Sequence, residues 1–132
     1  SNHRIEYTFD SIEETIAMST MYAANHLKGV KAIVALSESG TTPLLMSRIS
    51  SGLPIFCLSP HQKTLNATAL YRGVTPLQFN TEGLSQEQIV EGTYAVLKET
   101  GQVQPGDIIL FTLGDKMDTV GSTNTSKILK IK

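Results

Sequence analysis

Residues 37–42 read Ser-Glu-Ser-Gly-Thr-Thr, four hydroxyls and a glycine with only one charge among them. They leave an apolar run, Ala32-Ile33-Val34-Ala35-Leu36, and lead into Pro43 and a second apolar run. Hydroxyls around a glycine at the mouth of a helix can cradle a phosphate. The first backbone N–H groups of the helix lack internal partners, and the dipole places positive charge there. In that reading Ser37, Ser39, Thr41 and Thr42 supply donors, Gly40 lets the backbone come close, and Glu38 is the one carboxylate beside them. The competing reading is a serine–threonine turn that only caps the helix, for which one hydroxyl would suffice.

A second stretch, Gly114 to Asn124 (GDKMDTVGSTN), could face the first. Lys116 could reach an anion, Gly114 and Gly121 give the segment freedom to move, and Ser122 adds a hydroxyl. The competing reading is an ordinary solvated loop. Asp115 and Asp118 do not read as paired catalytic carboxylates, because nothing nearby orients a nucleophile. His3, His26 and His61 are scattered without metal-ligand spacing. No Cys–His or Ser–His–Asp arrangement is present, so the chain offers no catalytic constellation.

These loops need elements to hold them. Ser11-Ile12-Glu13-Glu14 is a capping box opening a helix, with Ile12, Ile16, Thr20, Ala24 and Leu27 on one face and Gly29 as its left-handed stop. The run 32–36 is a fully buried strand. Thr42 suits an N-cap with Pro43 at the first helical position, and Leu44, Leu45, Met46 and Ile49 carry that helix towards Gly52. Residues 54–58 form the next strand, 61–71 a helix closed by Gly73, and 74–79 a strand. Pro76 cannot donate to a ladder, so that strand belongs at an edge. Ser85-Gln86-Glu87-Gln88 opens a helix running to about Thr100. A strand at 107–112, the loop 114–124 and a last strand at 126–132 complete the chain.

Helices alternating with short apolar strands predict a three-layer α/β/α domain on a mainly parallel sheet. The last connection has no helix, which makes the final strand antiparallel to its neighbour. If 32–36 and 107–112 are neighbours where the sheet reverses direction, the two loops meet at a switch point, where open α/β sheets bind ligands.

Composition bounds the rest. At 132 residues, 40% hydrophobic and 17% charged, the chain suits a single folded domain. A net charge of −1 without a basic run argues against nucleic acid and anionic membrane as partners. No apolar stretch approaches the ~20 residues of a membrane span. A lone Cys57 in an apolar run is compatible with the cytosol. Ser1-Asn2 resembles a tag scar, leaving 1–7 as an N-terminal extension and 8–132 as the domain.

The stretch 29–79, with GDIILFTLGD at 106–115 and VGSTNTSKILKI at 120–131, closely resembles the C-terminal domain of pyruvate kinase. The specific parts are the strand–SxSG–helix junction, Leu70-Tyr71-Arg72-Gly73-Val74, and Gly121-Ser122-Thr123-Asn124-Thr125. The resemblance implies a five-stranded mixed sheet of order 3-2-1-4-5 with strand 5 antiparallel. It implies a regulatory domain that binds a phosphorylated effector at 37–42 and under a mobile effector loop at 114–122. The catalytic barrel of the family, with its ADP, phosphoenolpyruvate, Mg²⁺ and K⁺ sites, would lie outside this chain, which looks like an excised domain without cofactors of its own. Members regulated by fructose 1,6-bisphosphate often carry basic residues where Glu38 stands and near Thr41, and an arginine near Gln88–Ile89. This chain has neither, so the resemblance favours the bacterial type activated by AMP or sugar monophosphates such as ribose 5-phosphate or glucose 6-phosphate. It also implies a cytoplasmic homo-oligomer meeting through strand 126–132 and the first helix. Two rivals stand beside it: a ligand-free assembly domain, and a flavodoxin-like electron carrier using the same loop for the phosphate of FMN.

Overall fold

The computed structural model describes residues 8–115, 120 and 122–132. The expectations for the extension at 1–7, for Lys116 and for Gly121 lie outside the described residues.

Nine elements follow in order: α1 (Ile12–His26), β1 (Val30–Leu36), α2 (Thr41–Ser47), β2 (Ile55–Ser59), α3 (Gln62–Thr68), β3 (Val74–Gln78), α4 (Gln86–Glu99), β4 (Ile108–Leu113) and β5 (Thr125–Lys130). The sheet order is β3-β2-β1-β4-β5. The first four strands are parallel, and β5 runs antiparallel to β4. This is the anticipated topology. Pro76 sits in the edge strand β3, opposite Cys57, where its missing N–H can face away from the ladder.

Alternation along the buried strands sends side chains to two cores. Ala32, Val34, Phe56, Leu58, Ile109 and Phe111 pack beneath α4 with Ile89, Tyr94 and Leu97. Ile33, Ala35, Ile55, Cys57 and Leu110 pack on the other face with Ala17, Met21 and Ala24 of α1 and Met46 of α2. Both faces of the central strands are covered, which is why they read as unbroken apolar runs. Burial pushes the Cys57 thiol up to about 11, with a hydrogen bond from Thr68 opposing the shift.

Helix ends follow the sequence closely in one case and loosely in three. Ser85 forms a complete capping box: its Oγ accepts from Gln88 N–H at 3.1 Å, and Gln88 Oε1 accepts from Ser85 N–H at 2.8 Å. Ser11 makes half of one. Its Oγ accepts from Glu14 N–H at 3.0 Å, but the Glu14 carboxylate accepts from Asp10 N–H instead, at 3.3 Å. The buried face of α1 is Ala17, Thr20, Met21 and Ala24: Thr20 and Ala24 are as anticipated, but the face is shifted by about one residue, and Ile12 is 68% exposed. The small side chains Ala17 and Ala24 go against the sheet, where the backbones approach most closely. α2 and α3 stop earlier than anticipated because their last turns tighten to three-residue bonds, Ile49 N–H to Met46 O at 3.0 Å and Tyr71 N–H to Thr68 O at 3.0 Å.

Candidate functional site

The loop 37–42 leaves the C-terminal end of β1 and is stitched to α3. Ser37, buried, accepts from Gly40 N–H at 2.9 Å through its Oγ. The Glu38 carbonyl accepts from Thr64 Oγ1 at 2.6 Å, and the Glu38 carboxylate pairs with the His61 ring. Gly40 is demanded twice. Its φ is +86°, and a Cβ there would lie 2.9 Å from Thr68 Cγ2. The N-cap of α2 is Gly40, without a side-chain cap bond. Thr42 is therefore the second residue of the helix and Pro43 the third, correcting the anticipated start. Proline is tolerated there because first-turn N–H groups lack intrahelical partners anyway.

The four hydroxyls divide by role. Ser37 is spent on the Gly40 N–H. Thr42 is fully buried, donates to Glu13 Oε2 at 2.9 Å and lies 3.1 Å from Thr123 Oγ1. Ser39 and Thr41 are exposed, with hydroxyl oxygens 3.0 Å apart. The loop thus presents two hydroxyls outward and uses two to hold itself.

The pairing of β1 with β4 places the loop after β4 beside the first loop, and the Thr42–Thr123 contact joins the two across the switch point. Gly114 is buried, and a Cβ there would lie 2.5 Å from Ser122 O. Its lack of a side chain serves close approach rather than the freedom of movement read from the sequence. Asn124 clamps the base of this loop. It donates to the Asp115 carboxylate, its Oδ1 accepts from Asp115 N–H at 3.3 Å and from Thr125 Oγ1 at 2.8 Å, and its own N–H reaches Leu113 O at 3.2 Å.

Sequence reasoning missed Glu13, Thr64, Thr123 and Asn124 as parts of this arrangement. Glu13 and Thr123 lie 29 and 81 residues from Thr42, so no local spacing could have joined them. Asn124 was within reach of a local reading, since an Asn just before a strand often bonds nearby backbone. Among the described residues, no three His, Cys, Asp or Glu side chains come together to hold a metal, and no helix is long and apolar enough to cross a membrane.

Chemically, the switch point offers neutral hydroxyl donors on a rigid loop, with one carboxylate engaged by a histidine and another by Thr42. That arrangement can hold an oxyanion but carries no nucleophile–base pair.

Comparison with known proteins agrees with this layout. The family model described as "Pyruvate kinase, alpha/beta domain" matches residues 14–129. Pyruvate kinase II of Salmonella typhimurium is 54% identical over 134 residues, covering 100% of this chain and 27% of that protein. Pyruvate kinase of Buchnera aphidicola subsp. Baizongia pistaciae is 55% identical, covering 99% of this chain and 27% of its own length. The enzyme of Thermotoga maritima is 32% identical over 96% of this chain. The chain spans about a quarter of the length of these relatives. With nearly its whole length matched and the 3-2-1-4-5 sheet in place, the chain belongs to the pyruvate kinase alpha/beta domain family, the C-terminal domain of that enzyme.

Proposed function

We propose that this domain binds the phosphate of a sugar monophosphate or AMP at the Ser37–Thr42 loop and thereby regulates a cytoplasmic pyruvate kinase. The catalytic barrel, with Mg²⁺ and K⁺, belongs to the remainder of such an enzyme, and this chain alone transfers no phosphoryl group. The observation that carries the reading is the outward pair Ser39 and Thr41, 3.0 Å apart at the C-terminal end of β1. Ser122, Gly121 and Lys116 of the second loop would close over the ligand. Regulation requires that the effector bind the active state more tightly than the inactive one. A bisphosphate would meet the carboxylate of Glu38 and find no arginine near Gln88 for its second phosphate, which favours monophosphates over fructose 1,6-bisphosphate.

Calorimetric titration with ribose 5-phosphate, glucose 6-phosphate, AMP and fructose 1,6-bisphosphate tests this. Ser39→Glu should weaken binding at least about tenfold, since each charge-assisted hydrogen bond contributes ~1.5–3 kcal/mol. Unchanged affinity in that variant would remove the loop from the site.

The same reading includes assembly through β5 and α1. β5 is an outer strand with Ile128 62% exposed, and α1 exposes Tyr22 at 68%. Thr20 Oγ1 and Ser126 Oγ, 3.0 Å apart, fix α1 against β5, so the two offer one continuous surface. Self-pairing of 126–132 would bury the unpaired edge, while Lys127, Lys130 and Lys132 discourage promiscuous partners. Sedimentation equilibrium should give twice the chain mass at high concentration and one chain mass for Ile128→Glu, a substitution that leaves the core untouched. A wild-type monomer at millimolar concentration would refute this interface.

A further inference from the structure

At the opposite edge of the sheet, beside the N-terminal ends of β2 and β3, lies a cavity of about 520 Å³. That size falls within the roughly 300–1,000 Å³ of small-molecule sites. Two separate turns build its walls: the one leaving α2, with Arg48, Ser50 and Ser51, and the one entering β3, with Arg72. Ile55 and Val74, both buried, give it an apolar floor. No Asp or Glu lines it. Among the described residues neither guanidinium has an ion-pair or hydrogen-bond partner, although the chain carries a net charge of −1.

A cation at the C-terminal end of α2 complements that helix's dipole, which accounts for Arg48 alone. Arg72 belongs to no helix and yet converges on the same cavity. Two unpaired guanidinium forks over a concave surface without a carboxylate match the planar, bidentate chemistry of carboxylates and phosphates. The turns are themselves well held. Ser51 Oγ accepts from Leu53 N–H at 3.2 Å, and Ser50 O accepts from Asn25 Nδ2 at 3.2 Å.

We infer that this cavity binds a small organic anion, a phosphate monoester or carboxylate with a short apolar body, at a site separate from the Ser37–Thr42 loop. The guanidiniums hold the anion and the floor takes the apolar body.

The test is a ¹⁵N-NMR titration of the 132-residue chain with phenyl phosphate. The amides of Gly52 and Gly73 should shift and saturate with a Kd of about 1 mM or tighter. Arg48→Gln and Arg72→Gln should each weaken this at least about tenfold, the loss of one charge-assisted contact. Ser39→Glu should leave it unchanged, which separates this site from the effector loop. Both arginines are exposed, so the variants should melt like the parent. No saturating shift at these glycines up to about 20 mM, about twenty times the expected Kd, would overturn the inference. So would shifts that persist in the double variant. A response to a glutamate-rich peptide but not to phenyl phosphate would also overturn it, making the surface a protein-docking face.

Discussion

The two ends of this sheet carry opposite kinds of polar group. At the C-terminal edge the polar groups are neutral hydroxyls, and the nearby carboxylates are already engaged: Glu38 by His61, Glu13 by Thr42. At the N-terminal edge Arg48 and Arg72 have no partner among the described residues, and no Asp or Glu lines their cavity. The first arrangement is built for geometry. Bonds from Thr42 and Glu38 tie the loop to α1, α3 and the loop after β4, so under the proposed function a ligand would be selected by fit and by how little charge it brings beyond one phosphate. The second is built for charge, on two turns that share only a cavity. Neutral donors on an over-determined loop can report occupancy to the elements that hold them. Arginines on separate turns would supply affinity for an anion but have fewer internal bonds to transmit it.

A glycine at each edge breaks or sharpens this contrast most strongly. Gly40 and Gly52 both have positive φ, +86° and +73°. A Cβ at Gly40 would strike Thr68, whereas nothing lies within 4 Å of one at Gly52. Gly52→Ala should cost about 1 kcal/mol, from backbone strain alone. Gly40→Ala should cost roughly 2–4 kcal/mol, lowering Tm by several degrees more than its counterpart. Equal losses in thermal melts would show that the loop is not held against α3 as described.

Next in size is a pH effect lodged between the two edges, at Cys57. In the unfolded chain this thiol ionises near its ordinary value of 9.0, while the folded chain holds the proton to about 11. Unfolding at pH 9–11 therefore releases a proton. The contribution is fully present below pH 9 and disappears as pH rises through 11, amounting to about 2–3 kcal/mol. Urea melts of the wild type and Cys57→Ala across that window should converge as pH rises. A difference that stays constant would refute the burial argument.

Smaller again is Thr42→Val. It removes the donor to Glu13 and the contact with Thr123, and should cost about 1–2 kcal/mol. Effector affinity should fall as well, because the two loops lose their link; a stable variant with unaltered affinity would mean that the link is only structural. The smallest effect has the opposite sign. Thr112, opposite Ser126 near the end of β4, buries an Oγ1 that has no hydrogen-bond partner among the described residues. Thr112→Val replaces that hydroxyl by a methyl of similar shape and should stabilise by up to about 1 kcal/mol. A destabilised variant would indicate a partner that the hydroxyl finds in solution.

How much of this was legible beforehand depended on distance along the chain. The strand–loop–helix junction, the Ser85 box and the edge position of Pro76 were readable because each is a property of a few adjacent residues. The antiparallel last strand followed from a connection without a helix. The buried face of α1 was readable only in part: Thr20 and Ala24 lie on it as anticipated, but periodicity favoured Ile12 and Ile16 over Ala17 and Met21. Only the sheet beneath decides in favour of the small side chains. The same holds at the loop. Four hydroxyls looked equivalent in sequence, and only the tertiary partners of Thr42 turned it inward. The arginine cavity gave no signal, since Arg48 and Arg72 lie far apart in the chain and no local spacing joins them.

The strand order also bears on how the domain is made. Ile33 of β1 pairs with Ile55 of β2, a near neighbour in the chain, and with Leu110 of β4, which is far from it. Closing the longer loop costs about 1 kcal/mol more in chain entropy, and non-local parallel pairing is slow. β1, β2 and β3 with their two helices can therefore assemble as a local unit before β4 arrives. Until then β1 has an open side, and the two loops of the switch point have not met. The joined switch point, where the proposed effector site lies, is then among the last features to form, while both turns of the arginine cavity already stand in the early unit. A pulse of deuterium exchange during refolding would show Ile55 and Val74 amides protected before those of Leu110 and Phe111.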